Sequence, residues 1–313
     1  MMKTAFLFPG QGAQFVGMGK ELAEGFPQAK ELFARANDIV GYDLAQLCFD
    51  GPEDKLNATT VSQPAIFTVS AALLDILNAS PNSVQPDVTA GLSLGEYTAL
   101  YAAGLISFED GLRLVQKRGD AMQTAADDSD GSMVSVLGLD EVQVISLCEE
   151  ASQGELLVAV NFNCPKQIVL SGTTGACRRA ADLAEKYGAI KAIPLSVAGA
   201  FHSEMMNPAA EELEKALASC PIKDPAEMKV IANINSEYYN DANTIRNGLV
   251  KQLIQPILWQ KCMEKLLAEG VESFYEIGPG RVLTGLMKRI NRRTKVTNIS
   301  TAESLQKFLD SVE

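Results

Sequence analysis

Short apolar segments alternate with helical segments along most of the chain. Strands are predicted at Lys3–Phe8, Lys229–Asn233 and Ser273–Ile277. Pro27–Val40 carries apolar residues at helical spacing, and Gln63–Asn78 is a mostly apolar helix. Strands separated by helices favour a mostly parallel sheet that helices cover on both faces. The sequence therefore predicts an α/β fold, and its 313 residues leave room for about two structural units.

The middle of the chain follows a different order. After the polar segment Asp127–Gly131, strands and helices are predicted in the order β-α-β-β-α-β at Met133–Leu137, Asp140–Ala151, Leu156–Asn161, Gln167–Ser171, Thr174–Tyr187 and Ile190–Leu195. That order is typical of a ferredoxin-like unit. We therefore expect a ferredoxin-like subdomain over 129–197, inserted into a main domain made of residues 1–128 and 198–313.

A serine between two glycines, Gly91-x-Ser93-x-Gly95, lies between a predicted short strand and a predicted helix. In a nucleophile elbow, such glycines permit a strained turn that exposes the serine hydroxyl, and the backbone N–H of the next residue, here Leu94, helps to stabilise an oxyanion. The pattern also occurs by chance. The alternative is an ordinary strand-to-helix turn in which Ser93 caps the helix.

The chain contains one histidine, His202. A serine hydroxyl is a weak nucleophile without an adjacent base, so a histidine-activated Ser93 requires His202 as that base. Its place after the serine matches the order found in α/β-hydrolases. No carboxylate stands out to orient the ring, and a backbone carbonyl or an amide side chain could do so instead. A single histidine excludes a multi-histidine metal site, although a lone histidine is more often an ordinary surface or core residue.

Two further residues are candidates on weaker local evidence. Gln11 lies in a glycine-containing turn after the first strand, which fails both the dinucleotide fingerprint and the P-loop pattern. This segment either offers the Gln11 N–H to the same oxyanion or is a plain turn. Arg118 lies among apolar residues of a predicted helix, where its side chain either reaches the surface or, pointing inward, pairs with a substrate carboxylate.

The composition limits the partners and the compartment. With 27 basic and 39 acidic residues the net charge is −12, which disfavours binding to nucleic acid. The six cysteines show no metal-binding spacing and are expected to be reduced. Neither a signal peptide nor an apolar stretch of about 18 residues stands out, so we expect a cytoplasmic protein without a membrane span. Nothing in the sequence requires more than a monomer.

Short motifs recur in a fixed order along the whole chain: Phe8-Pro-Gly-Gln-Gly, Gln63-Pro-Ala, Gly91-x-Ser-Leu-Gly-Glu-Tyr97, Gln116-Lys-Arg-Gly119, Asn161-Phe-Asn163, Gly199-Ala-Phe-His202, Gln252-Leu and Gly278-Pro-Gly280. Together they resemble the malonyl-CoA:acyl carrier protein transacylase family, which loads malonyl units for fatty acid or polyketide synthesis. The resemblance implies an α/β-hydrolase-like core with a ferredoxin-like insertion. It also implies malonyl-CoA and an acyl carrier protein as partners, with no cofactor and no metal.

The resemblance implies roles for the reacting residues. Ser93 would be acylated by malonyl-CoA, with His202 as general base and then as general acid. Gln252 would help to orient His202 in place of a third, acidic residue.

The resemblance also implies roles for the residues around them. The N–H groups of Gln11 and Leu94 would bind the oxyanion, and Arg118 would hold the malonyl carboxylate. Phe201 would crowd the α-carbon of the acyl group, as in family members that use malonyl rather than methylmalonyl groups. One position departs from the family, because many members carry histidine where this chain has Leu92.

The implied function is transfer of a malonyl group from malonyl-CoA to the phosphopantetheine thiol of an acyl carrier protein. The transfer would follow a ping-pong scheme through malonyl-Ser93, in fatty acid biosynthesis. The alternatives are a trans-acting malonyltransferase of a polyketide synthase (PKS) and a serine esterase or thioesterase built on the same serine and histidine. A non-catalytic scaffold that binds the carrier protein is a third alternative.

A run of basic residues near the C-terminus stands out against the acidic bulk: Lys288, Arg289, Arg292, Arg293 and Lys295. The run is either a solvated helix end or a surface that steers an acidic carrier protein, because local potential rather than net charge governs encounter.

Overall fold

The structure, a computed structural model, describes residues 3–81 and 83–312. Its strands are β1 (Lys3–Phe8), β2 (Val88–Gly91), β3 (Gly131–Leu137), β4 (Leu157–Cys164), β5 (Gln167–Thr173), β6 (Lys191–Pro194), β7 (Lys229–Val230), β8 (Val271–Ile277) and β9 (Val296–Ile299). Its helices are α1 (Lys20–Gly25), α2 (Pro27–Val40), α3 (Leu44–Asp50), α4 (Glu53–Asn57), α5 (Thr59–Ala79), α6 (Gly95–Ala102), α7 (Phe108–Asp127), α8 (Glu141–Ser152), α9 (Thr174–Leu183), α10 (Asn207–Ser219), α11 (Ala242–Gln252), α12 (Trp259–Ala268), α13 (Val282–Ile290) and α14 (Ala302–Val312). Two short 3₁₀ turns follow α9 and precede α10, at Ala184–Tyr187 and Glu204–Met206.

The larger sheet contains five parallel strands in the order β7-β2-β1-β8-β9. In the register of β1 and β2, Phe8 lies opposite Gly91, so the chain leaves both strands at the same edge. The carboxyl ends of parallel strands are the usual place for a binding site in an open α/β sheet. The turn after β1 and the serine motif after β2 are therefore brought together by the sheet.

The smaller sheet is antiparallel, with the order β4-β5-β3-β6. Apolar strand residues such as Val136 pack against apolar residues of α8 and α9, among them Leu147 and Ala180. The β-α-β-β-α-β order predicted from the sequence is present, and the strand order is that of a ferredoxin-like unit. The predicted fold class is thus confirmed: a mostly parallel α/β core with a ferredoxin-like insertion.

The helix α5 runs through the core and packs against α2, α6 and α7. By length and composition alone it could cross a membrane, because it has 21 residues and few charges. The expectation that no apolar stretch reaches this length was therefore wrong. In the structure, 83% of that stretch lies buried inside the protein, so its apolar residues are used for packing in the core.

Candidate active site

Ser93 lies in the sharp turn between β2 and α6. Its φ is 51°, in the left-handed region that residues other than glycine rarely adopt. The glycines make the turn possible, because a Cβ on Gly91 would lie 1.9 Å from the backbone of Gly95, and one on Gly95 would lie 2.1 Å from the carbonyl oxygen of Phe8. The motif therefore forms a strained elbow rather than an ordinary turn.

The imidazole of His202 faces the serine. Its Nε2 lies 3.0 Å from Ser93 Oγ, and its Nδ1 lies 2.6 Å from the backbone carbonyl oxygen of Gln252. Since a carbonyl only accepts, Nδ1 carries the proton and donates it, which leaves Nε2 free to accept the serine proton. The ring is thus oriented by a backbone carbonyl, one of the two alternatives to a carboxylate that the sequence left open.

His202 is held in its neutral form. The residue is only 5% exposed, and burial is the main reason that its pKa falls from 6.5 to about 3. The positive charge of Arg118 lowers this pKa further, whereas the hydrogen bond to Gln252 opposes the shift. A neutral ring with an unprotonated Nε2 is the form that a general base requires.

Arg118 points inward and is 1% exposed. Its Nη2 donates to Ser93 Oγ and to Gln252 Oε1, both at 3.0 Å, and its Nη1 donates to Gln63 Oε1 at 2.6 Å. Its Nε is buried and has no hydrogen-bond partner among the described residues. A guanidinium whose Nη2 reaches the nucleophilic oxygen is well placed to bind a carboxylate on the reacting group.

The turn after β1 packs against the elbow, since a Cβ on Gly10 would come within 2.2 Å of the elbow backbone. The next residue, Gln11, lines the cavity that contains Ser93. In the described part of the chain, the backbone N–H groups of Gln11 and Leu94 have no protein acceptor, whereas that of Ser93 donates to Asn233 Oδ1 at 2.7 Å. The two N–H groups expected to bind an oxyanion are therefore available for it.

A cavity of about 490 Å³ opens at Ser93 and His202. The main core contributes one part of its wall, and the small antiparallel sheet with the segment that follows it contributes the rest. The lining residues are Gly10, Gln11, Gly12, Gln14, Asn57, Leu92, Ser93, Met122, Met133, Asn161, Asn163, Gln167, Val169, Leu195, Ser196, Val197, Phe201, His202, Val282 and Leu286. Phe201 is among them, beside the histidine, whereas Leu94, Arg118 and Gln252 lie buried behind this lining.

The basic run lies at the end of α13 and in the loop to β9. All of its residues are exposed, and none forms an ion pair with another described residue: Lys288, Arg289, Arg292, Arg293 and Lys295. Arg289 donates to the side chain of Gln167, which lines the cavity. The run therefore starts at the edge of the cavity that contains the serine.

Three residues without a predicted role complete the site. Gln63 accepts from Arg118, Asn233 accepts from the backbone N–H of Ser93, and the buried Glu96 accepts from the backbone N–H of Asn233. Gln63 and Glu96 belong to the ordered sequence motifs, and this membership is the signal that could have identified them as site residues. Asn233 belongs to none of them, and it reaches Glu96 across 137 positions of sequence.

Glu96 is the only acidic side chain in this network of described residues. Burial raises its pKa from 4.5 to about 7, although hydrogen bonds from Tyr239, Gln252 and Asn233 and the charge of Arg118 lower it. The carboxyl group is therefore close to the balance between its neutral and ionised forms near neutral pH.

Known proteins match this chain over essentially its whole length. A family model described as "Acyl transferase domain" covers residues 5–309. The malonyl CoA-acyl carrier protein transacylase of Bacillus subtilis (strain 168) is 44% identical over 314 residues, which is 100% of this chain and 98% of the relative. The relative of the same name from Escherichia coli (strain K12) is 42% identical over 290 residues, 93% of each chain.

Solved structures give the same result. The malonyl CoA-acyl carrier protein transacylase of Coxiella burnetii superposes with a TM-score of 0.95 at 37% identity, over 99% of this chain and 98% of that one. A structure of a type II PKS acyl-carrier protein in complex with its malonyl-transacylase contains a chain that superposes with a TM-score of 0.94 at 39% identity, over 99% of both. These matches in sequence and in fold show that the chain belongs to the acyl transferase family, and within it to the malonyl CoA-acyl carrier protein transacylases.

Proposed function

We propose that this protein moves a malonyl group from malonyl-CoA to the phosphopantetheine thiol of an acyl carrier protein, through a malonyl-Ser93 intermediate. Membership of the family supports the overall transfer. The roles of individual residues are proposed from the geometry of the site. Neither substrate is a resident cofactor, because the CoA thioester is consumed and the phosphopantetheine belongs to the partner.

In the first half-reaction, Ser93 Oγ attacks the thioester carbonyl while its proton passes to His202 Nε2, 3.0 Å away. The N–H groups of Gln11 and Leu94 stabilise the oxyanion, a contribution on the order of 3 kcal/mol for each donor. The hydrogen bond from Nδ1 to the Gln252 carbonyl stabilises the imidazolium formed at this point. Collapse of the intermediate breaks the C–S bond, and His202 returns the proton to the departing sulfur of CoA.

In the second half-reaction, the carrier thiol attacks malonyl-Ser93 and gives its proton to the same Nε2. The C–O bond to the serine then breaks, and the proton passes back to Oγ. One imidazole thus acts as base and as acid in both halves, as a ping-pong scheme requires.

One observation favours malonyl transfer over hydrolysis: the buried guanidinium of Arg118 lies 3.0 Å from the nucleophilic oxygen. A serine esterase or thioesterase has no need of a cation there. In the acylated enzyme, the malonyl carboxylate takes the contact with Arg118 Nη2 that Ser93 Oγ makes here. An acetyl group would leave this cation without that partner, which is costly in a buried site. Phe201, beside the histidine, limits the space for a substituent on the α-carbon.

Intact-mass spectrometry after mixing with malonyl-CoA tests the proposal. We expect a stable adduct of one malonyl group in the wild type and none in Ser93→Ala, followed by its transfer to a carrier protein bearing phosphopantetheine. In Arg118→Ala, we expect malonyl acylation to fall toward the acetyl rate, whereas Arg113→Ala, on the exposed side of the same helix, keeps the preference. Release of free malonate without an adduct would instead support the hydrolase.

The remaining proposals concern the inserted subdomain, the surface that meets the carrier protein, and the compartment and pathway in which the protein acts. We infer that residues 129–197 form an inserted subdomain that supplies one side of the acyl cavity, and that the basic run (Lys288, Arg289, Arg292, Arg293, Lys295) guides the carrier protein toward it. The structure of a type II PKS acyl-carrier protein with its malonyl-transacylase, matched at a TM-score of 0.94, supports a carrier protein as the partner. We propose a cytoplasmic monomer that acts in fatty acid biosynthesis, with a PKS as the alternative pathway.

A further inference from the structure

A buried carboxylate lies at the centre of the hydrogen bonds behind the serine and the histidine. Glu96, in the first turn of α6, has no exposed surface. Its Oε2 accepts a hydrogen bond from Gln252 Nε2 at 2.8 Å and another from the backbone N–H of Asn233 at 3.1 Å. Its Oε1 accepts from the hydroxyl of Tyr239. Three donors from different parts of the chain therefore meet at one side chain.

Gln252 connects this carboxylate to two parts of the site. Its backbone carbonyl holds His202, and its side-chain oxygen accepts from Arg118 Nη2 at 3.0 Å. Its side-chain nitrogen donates both to Glu96 and, at 3.0 Å, to the carbonyl oxygen of Ser93. The amide group of Gln252 is thus fixed at both ends.

Asn233 connects the carboxylate to the elbow. Its Oδ1 accepts from the backbone N–H of Ser93 at 2.7 Å, and its Nδ2 donates to the carbonyl oxygen of Gly91 at 2.8 Å. Glu96 is therefore one residue away from the nucleophile through Asn233, and one residue away from the base and the arginine through Gln252.

The chemistry of a carboxyl group decides how the Gln252 amide must point. An ionised carboxylate only accepts, so the amide has to turn its NH₂ group toward Glu96 and its oxygen toward Arg118. A neutral carboxyl keeps the same arrangement, because the Tyr239 hydroxyl can accept from a protonated Oε1 while Oε2 continues to accept. An amide flipped the other way would place its NH₂ group against the guanidinium, donor against donor.

We propose that Glu96 is a positioning residue that sets the selectivity of the site for acyl groups carrying a free carboxylate. It does so by holding Gln252 in the one orientation that presents an oxygen to Arg118. This inference rests on the proposed malonyl transfer and extends it to a residue that touches neither the substrate nor the reacting atoms.

The proposal predicts unequal effects on two substrates. The backbone carbonyl that holds His202 serves any acyl group, whereas the side-chain oxygen that holds Arg118 matters only when a carboxylate must be bound. Loss of Glu96 should therefore slow acylation by malonyl-CoA more than acylation by acetyl-CoA. General loosening of the fold would slow both by the same factor.

Single-turnover acylation of Ser93 by each thioester, followed by intact mass, tests this prediction. Glu96→Met fills the volume but removes both acceptors, and we expect the malonyl rate to fall about 100-fold and the acetyl rate about 10-fold. In Glu96→Gln, the amide oxygen can accept from Gln252 and Asn233 while its NH₂ donates to Tyr239, so we expect the malonyl-to-acetyl ratio to change by less than about 1.5-fold from the wild type.

Glu276 provides the matched control. It is also fully buried, but it accepts from the backbone N–H groups of Leu283 and Thr284 at the start of α13. Glu276→Met should lower the melting temperature and leave the malonyl-to-acetyl ratio unchanged. If Glu96→Met does not fold, Tyr239→Phe removes one donor to Glu96 without opening a cavity, and a ratio lowered about threefold is expected.

A folded Glu96→Met or Tyr239→Phe protein with the wild-type ratio would overturn the inference, as would a ratio lost equally in Glu96→Gln and Glu96→Met. A wild-type protein that forms no malonyl adduct at all would contradict the proposed function instead. The two failures are therefore distinguishable in one experiment.

Discussion

His202 is surrounded by groups that disfavour a second proton on its ring. Burial and the charge of Arg118 lower its pKa from 6.5 to about 3, so the ring stays neutral well below neutral pH. Because the folded pKa is the lower one, the neutral form is lost only as the pH falls through about 3. A histidine in water would be half protonated near pH 6.5.

The prediction is that kcat/KM for malonyl-CoA shows no histidine limb between about pH 5 and 8, since this quantity reports the free enzyme. Burial raises the pKa of Glu96 to about 7, but both of its forms hold Gln252 in the same orientation, so we expect no limb from it either, and Glu96→Gln is the control that removes this group. A limb near pH 6.5 that survives this substitution would contradict the neutral histidine. The measurement is the initial rate of malonyl transfer across the pH range.

Individual site residues could be predicted from the sequence where a short motif or the rarity of a residue type marked them. Ser93 lies in a short motif, and His202 is the chain's one histidine, so neither required knowledge of distant contacts. Asn233 lies in no motif, and although Glu96 lies in the serine motif, its contacts cannot be predicted from that motif. Their roles exist only because folding joins segments 137 residues apart, and no spacing rule describes such a contact.

Among the elements, the elbow between β2 and α6 depends on close backbone contact. A Cβ on Gly95 would meet the Phe8 carbonyl oxygen at 2.1 Å, and backbone atoms cannot move aside as a flexible side chain can. In contrast, a Cβ on Gly285, within α13, would meet nothing within 4 Å. At Gly95 a side chain is excluded by steric contact, whereas at Gly285 a side chain fits and only helix propensity changes.

We predict that Gly95→Ala destabilises the protein by about 3 kcal/mol and abolishes acylation, because the helix must shift away from β1. Gly285→Ala should stabilise it by about 0.5–1 kcal/mol, since alanine favours a helix interior. Urea unfolding of both variants measures the difference. Equal stabilities would show that α6 can move at little cost.

The longer elements were predictable from their periodicity, whereas short ones and exact ends were not. The helices α3 and α4 have 7 and 5 residues, too few for an apolar repeat to be recognised. The strand predicted over 229–233 ends at Val230, because the chain then bends back, with Ile231 bridging to Tyr238. That bend brings Asn233 to the elbow, so the missed strand end and the missed site residue have the same cause.

On the scale of the whole molecule, charge is unevenly distributed. The net charge is −12, yet five exposed basic residues without ion pairs among the described residues cluster at the end of α13, beside the acyl cavity. Attraction between a local patch and an acidic partner acts on the rate of encounter and weakens with salt. A small thioester that diffuses to the cavity depends less on this patch.

We predict that the double variant Arg292→Glu/Arg293→Glu slows transfer to the carrier protein about tenfold or more at low salt, with the difference shrinking as salt is added. Self-acylation by malonyl-CoA should change by less than about twofold. Lys30→Glu is the control, because this exposed lysine lies on α2, which contributes no residue to the cavity lining. The measurement is the rate of each half-reaction, determined separately. Equal slowing of both would contradict steering of the carrier protein.

The support of the histidine by the Gln252 backbone has a consequence for how such an enzyme can change. Every amino acid carries a carbonyl, so substitution at position 252 leaves the partner of His202 Nδ1 in place while replacing the group that faces Arg118 and Glu96. A triad built on an acidic side chain has no such freedom. Evolution, or a laboratory library randomised at this position, can therefore search for new acyl specificities without first dismantling the proton-transfer machinery.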